Sequence, residues 1–247
     1  MTRRTWYFIE PKTKLHEFYN LLHLPYTFMC LSFLASGFFL SKEVNWIIFT
    51  GALVAYFFGL GIGAHSLDQT SKTGSRYVKL LTRKELLIIG SLSLIIAILL
   101  GIYATIVFNL YLLPLLIIIQ GIFAVAYPIG ELFKGYLHND TSFAIGFGFL
   151  PPVIGYYANT SEISIAVIVL ALFCFTISYI EILLSRYVRR VRKEIGKGIL
   201  EFGDEVYISV NKLNIKFIQK RFLERPEKAL EALCILSYLL PILLLLR

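Results

Sequence analysis

His65 and Asp68 stand three residues apart, and Lys72 and Arg76 follow at four-residue steps, in the stretch Gly61-Ile-Gly-Ala-His65-Ser-Leu-Asp68-Gln-Thr-Ser-Lys72-Thr-Gly-Ser-Arg76. On one continued helix these side chains share a face. An acid flanked by cations is a chemically reasonable holder of phosphate, directly or through a metal ion. A plainer reading stays open beside it, because polar residues at the end of an apolar helix commonly do no more than mark a membrane interface.

Other residues invite a similar choice. Glu181 stands alone on an apolar stretch, where an unpaired acid costs several kcal/mol, so it is either functional or paired, for instance with Arg186. A second polar group gathers Glu131, Lys134, His138, Asn139 and Asp140. His138 and Asp140 are ordinary metal ligands that could join His65 and Asp68, although His-x-Asp in a polar loop also arises by chance. His23 and His65 lie near matching ends of adjacent apolar stretches, a depth at which paired imidazoles can also hold haem. Cys30, Cys174 and Cys234 are isolated, with no CxxC pair, and read as small buried apolar residues.

The elements that must position these groups are membrane helices. The chain is 57% hydrophobic with a mean hydropathy of +0.72, and apolar runs cover residues 20–40, 46–64, 86–107, 110–129, 143–158, 163–184 and 229–246. Several approach the length of about 20 residues that crosses hydrocarbon. The expectation is an all-α polytopic bundle of about seven spans. The opening Met1-Thr2-Arg3-Arg4 lacks the features of a cleaved secretory signal, so the first span is expected to be retained.

Charges sort to one side of this layout. Arg3, Arg4, Lys12 and Lys14 precede the first run, Lys79, Arg83 and Lys84 join Lys72 and Arg76 before the third, and Arg186, Arg189, Arg190, Arg192, Lys193 and Lys197 follow the sixth. Lysine and arginine beside spans are held on the cytoplasmic side, which puts the N-terminus in the cytoplasm of a cell-membrane protein. The net charge of +8 reads as an anchor on anionic lipid headgroups and not as a nucleic-acid surface. Within residues 206–223, Lys212, Lys216 and Lys220 at four-residue spacing predict a cytoplasmic amphipathic helix lying on the headgroups. Residues 1–190 then form the main bundle, and residues 191–247 a basic segment followed by a last span.

Two stretches are rich in small or helix-breaking residues. Gly146, Gly148, Pro151, Pro152 and Gly155 crowd the fifth run, which can survive in a membrane only where neighbours cover the freed carbonyls, so it belongs inside the bundle. Gly59, Gly61 and Gly63 allow close helix approach or leave room for a ligand.

A span ending in glycine and small residues, a short acidic loop, Thr73-Gly74 and a new span together resemble the first motif region of UbiA-type intramembrane prenyltransferases. Ala126-Tyr-Pro-Ile-Gly-Glu-Leu-Phe-Lys134, the run from Gly146 to Tyr157, and His23-Leu-Pro-Tyr-Thr27 are similar to other parts of that family, over roughly residues 15–190. The resemblance implies an active site open to the cytoplasm, where Asp-rich loops bind Mg²⁺ and the diphosphate of an isoprenoid donor while an acceptor enters from the membrane. Where the family carries Asn-Asp and further Asp residues, this chain has Ala64, His65, Asp68 and Lys72. In the second motif region Glu181, Ser185 and Arg189 stand in such places, and the family runs to more spans.

Carried over residue by residue, the resemblance makes Asp68 and Glu181 the catalytic acids and Mg²⁺ ligands. His65, Lys72, Arg76, Arg189 and Arg190 become the binders of a prenyl diphosphate. The rival expectation is a non-catalytic membrane subunit that binds lipid or quinone and packs against partner membrane subunits. The Asp-x-x-Asp-Gly pattern of alcohol phosphotransferases, a Gly-x-Ser-x-Gly elbow, His-Glu-x-x-His and a phosphate-binding Gly-Lys-Ser/Thr loop are all absent.

Overall fold

A computed structural model describes residues 7–71, 78–129, 132–195, 200–202, 205–211, 214–219 and 221–246. Helix α1 covers Lys14–Leu21 and α2 covers Leu24–Phe39. Between them His23 takes a left-handed conformation with φ 43°, and the two helices bend by 42°. A hairpin leads to α3, Trp46–Tyr56, whose first turn is capped by the Asn45 side chain accepting from the N–H groups of Ile47 and Ile48. The chain widens into a π-helix over Phe57–Ala64 and continues as α4, His65–Asp68.

Helix α5, Arg83–Val107, opens with a capping box between Thr82 and Glu85. Helix α6, Leu113–Ala126, returns antiparallel to it. Then come α7 (Asp140–Ala144), a second π-helix over Ile145–Phe149, and α8 (Leu150–Thr160), which continues it without a break and carries Pro151 and Pro152 in its first turn; the Gly146 carbonyl in the turn before them accepts from the Gln120 amide at 3.0 Å. Helix α9, Ile165–Ile195, and helix α10, Arg221–Leu245, complete the bundle. The latter packs on α2 and α9, and the Tyr238 hydroxyl donates to the Pro25 carbonyl at 2.7 Å.

Helix α8 lies in the middle, buried along most of its length. Its contact with α2 is close because both sides present glycine at the crossing: a Cβ at Gly37 would overlap the Pro152 carbonyl, and one at Gly155 would overlap the Leu34 carbonyl. Without water to drive apolar groups together, such backbone proximity and its dispersion contacts hold membrane helices to one another. The expectation that the glycine- and proline-rich run is interior therefore holds. Packing also explains much of the earlier glycine series: a Cβ on Gly61 would stand 2.8 Å from the Thr27 methyl, and one on Gly63 would stand 3.0 Å from Leu94.

Helices 46–68, 83–107, 165–191 and 224–245 are long and apolar enough to cross a membrane, and the bent pair α1–α2 raises the number to five. This is consistent with an integral membrane protein. Two expectations change. The first run is broken at His23 and is not one straight helix. The amphipathic helix expected over residues 206–223 is replaced by a three-stranded antiparallel sheet of β1 (Leu200–Phe202), β2 (Glu205–Asn211) and β3 (Asn214–Gln219), followed by the start of α10. Register pairs Val206 with Ile218 and Tyr207 with Phe217. Alternating Val206, Ile208 and Val210 carry a strand period that competes with the lysine spacing, and short runs are ambiguous between the two.

Candidate functional site

The π-helix after α3 rotates the chain so that α4 presents His65 and Asp68 at the end of the bundle that also carries residues 7–9. His65 meets His23 there, with ring centroids 4.9 Å apart. Left-handed backbone at a residue with a side chain costs about 1–3 kcal/mol, and it is kept where the surroundings over-determine it. The surroundings of His23 do so: its Nδ1 is hydrogen bonded to the Tyr7 hydroxyl at 2.7 Å, and the rings of Phe8 and Tyr26 lie against it. Asn20 pins the N-terminal segment in place, accepting from the Ile9 N–H at 3.0 Å and donating to the Ile9 carbonyl at 2.8 Å.

Asp68 accepts from the Gln69 amide at 3.0 Å. Across from α4, the α9 helix supplies Glu181 and Arg189, two turns apart and therefore on similar faces. The Arg189 side chain is close enough to interact electrostatically with Glu181, Asp68, His23 and Tyr127. One guanidinium thus lies within electrostatic reach of both acids, although among the described residues it forms no ion pair with either. Glu181 is 3% exposed, and its Oε2 has no hydrogen-bond partner among the described residues. The same is true of the hydroxyl of Ser178, one turn before it, which lies against Gly148 in the second π-helix. π-Helical turns recur at functional sites, and here one delivers α4 while the other faces α9.

Arg186 does not pair with Glu181. It bonds Asp140 at 2.9 Å and reaches the Tyr127 hydroxyl, tying α9 to α7 and to the end of α6. His138 stacks on the Tyr127 ring at 5.2 Å, and its Nδ1 donates to the Tyr127 carbonyl at 2.7 Å. These contacts give His138 and Asp140 structural partners beside the cluster. Arg189 and Arg190 are both exposed residues, and Arg190 points about 100° further round α9. Lys72, Arg76 and Glu131 lie outside the described residues.

Among the described residues no group of three or more His, Cys, Asp and Glu side chains is arranged to hold a metal ion. Cys30, Cys174 and Cys234 are free and buried, as read from the sequence. Sequence reasoning missed Tyr7, Tyr127 and Gln69, which carry no motif and reach the cluster only through the fold. It also missed Glu17, a buried acid whose carboxylate accepts from the backbone N–H groups of Lys79, Leu80 and Leu81 at 2.6, 2.6 and 2.8 Å. That carboxylate holds the chain leading into α5 beneath the cluster.

Chemically, the cluster offers two carboxylates, a shared guanidinium, two imidazoles and a phenol at one end of a membrane bundle. Such a set can bind an anion through Arg189 and the imidazoles, or a cation through the acids. No family model matches the chain, and no curated protein or solved structure matches it either.

Proposed function

We propose that this is a UbiA-like membrane protein whose polar cluster binds the diphosphate of an isoprenoid at the cytoplasmic face. The observation that carries this reading is that Asp68 and Glu181, 113 positions apart in the chain, lie within electrostatic reach of the same guanidinium, that of Arg189. In this reading α6 and the α7–α8 run complete a seven-span bundle with the N-terminus in the cytoplasm. Arg189 meets the diphosphate, His23 and His65 donate to its oxygens, and Lys72 and Arg76, four and eight positions after Asp68 in the sequence, are the further cations this reading assigns to it. The isoprenoid chain remains in the apolar interior.

The donor set is compatible with Mg²⁺, which takes hard oxygen ligands and needs only one or two carboxylates when phosphate oxygens and water complete its shell. The partnerless Oε2 of Glu181 is such an oxygen. Asp68 and Glu181 would hold the ion, which when bound would supply charge that helps the diphosphate to leave. The protein's own contribution is to bury Glu181, to keep Arg189 within electrostatic reach of both acids, and to close one side of the site with Tyr7 and Phe8.

A second reading is favoured by the same guanidinium. A cation within electrostatic reach of both acids offsets part of their charge without a metal, and that suits a non-catalytic subunit that binds lipid within a larger assembly. Purified protein incubated with labelled prenyl diphosphate, Mg²⁺ and aromatic or polyol acceptors separates the two. Turnover that falls by orders of magnitude in Asp68→Asn and Glu181→Gln supports transfer. Binding without turnover, and without dependence on Mg²⁺, supports the subunit. Absence of binding contradicts both.

A further inference from the structure

A cavity of about 330 Å³ lies between α3, α5, α6 and α8, in the half of the bundle remote from the polar cluster. None of the cluster's side chains lines it. We propose that this cavity holds one acyl chain of a bilayer lipid, which enters past Ile47, Ile98 and Tyr103. The assignment is independent of the diphosphate reading.

Three observations lead to a hydrocarbon occupant. The lining contains no charged residue, and its interior polar side chains are satisfied by protein: the Tyr56 hydroxyl donates to Gln120 Oε1 at 3.3 Å, while the Gln120 amide donates to the Gly146 carbonyl at 3.0 Å. A water molecule needs two to four polar partners, so the walls do not suit water. Secondly, Gly51 and Gly121 line the cavity, and a Cβ on either would meet nothing within 4 Å. These glycines leave space, in contrast to Gly37 and Gly155, which permit contact. Thirdly, the rim residues Ile47, Ile98 and Tyr103 are exposed and continue into the apolar outer face formed by Leu99, Ile102 and Ile106. What surrounds that face in a membrane is acyl chain, and the volume falls at the lower end of the range of about 300–1,000 Å³ for ligand pockets.

The test uses the full chain in nanodiscs of phosphatidylglycerol carrying a diazirine on one acyl chain. After irradiation, adducts should map to Ala55, Ala97 and Gly121 as well as to the outward Leu99 and Ile106. Gly121→Phe and Gly51→Leu fill the space from opposite walls and should lower the inner adducts about tenfold while Leu99 and Ile106 keep theirs. The outward adducts also report whether each variant has folded into the bilayer. Should one variant fail to fold, the other carries the test. Inner positions that stay unlabelled in the unsubstituted protein, or labelling that survives both substitutions, would overturn the proposal. Labelling of the inner positions by an isoprenyl diazirine probe and not by the acyl probe would overturn the choice of lipid.

Discussion

The two ends of this bundle differ in how completely their polar groups are answered. At the remote end the half-buried Asn159 accepts from the Asn45 N–H at 2.8 Å and donates to Ser41 and to the Glu43 carbonyl, and the buried Tyr157 hydroxyl accepts from the Leu112 N–H at 2.9 Å; at the basic end Glu17 and Asn20 are answered as fully, but not every group is. At the basic end Glu181 and Ser178 retain oxygens without described partners, His23 holds left-handed backbone, and two π-helices interrupt the regular ladder. Satisfied groups fix the hairpins; unsatisfied ones are what a ligand would complete. The contrast can be broken by substitutions whose costs differ in kind.

The largest effect belongs to neither end but to the crossing that joins them. Gly155→Val drives a side chain into the Leu34 carbonyl, where backbone cannot yield. It should exceed the roughly 1–3 kcal/mol usual for overpacking and abolish a folded, monodisperse species in size-exclusion chromatography. A normal elution profile and melting curve would mean that the α2–α8 crossing is not as close as described.

Glu17→Ala comes next. It removes an acceptor shared by three backbone N–H groups. Each charged hydrogen bond contributes about 1.5–3 kcal/mol, and the buried donors left behind add to the loss. Thermal unfolding in detergent should show a fall of several degrees. Glu17→Gln should recover part of it, since an amide oxygen still accepts.

Asn159→Ala tests the remote end, with an expected loss of about 0.5–1.5 kcal/mol, because the Asn45 and Glu43 groups it leaves behind are exposed. Glu181→Gln tests the basic end and should not follow it. Replacing a buried acid whose Oε2 lacks a hydrogen-bond partner and which forms no ion pair among the described residues with a neutral isostere removes a burial cost, so stability should stay level or rise. Equal losses at both positions would erase the distinction between the ends. Smallest of all, Lys14→Ala should leave the melting temperature unchanged, because its ion pair with Glu85 is solvent-exposed on both sides.

Much of the bundle is legible in the chain because the membrane forces apolar helices of a set length, and the interior place of α8 follows from its prolines and glycines. Pairing of His23 with His65 was legible from depth alone. The break at His23 was not, since it depends on Tyr7, Phe8 and Tyr26 closing around the ring. Glu17 was equally hidden: its partners lie 62–64 residues away, and no local pattern announces them. Residues 206–223 show the limit of periodicity, where lysines at helical spacing sit among alternating apolar residues at strand spacing. Arg186 shows another limit, since its partner Asp140 comes from a different element while Glu181, on its own helix, faces Arg189.

The central claim is that Arg189 joins the two motif regions into one anion-binding site. Titration of the purified protein with a fluorescent prenyl diphosphate, comparing Arg189→Glu with Arg190→Glu, tests it most directly. Reversal at Arg189 should weaken binding at least about tenfold, beyond the roughly 1 kcal/mol of a basic residue near a headgroup layer, while reversal at Arg190, about 100° further round the helix, should stay within that screened value. Equal, small losses at both positions would contradict it and leave a diffuse basic face in place of a site.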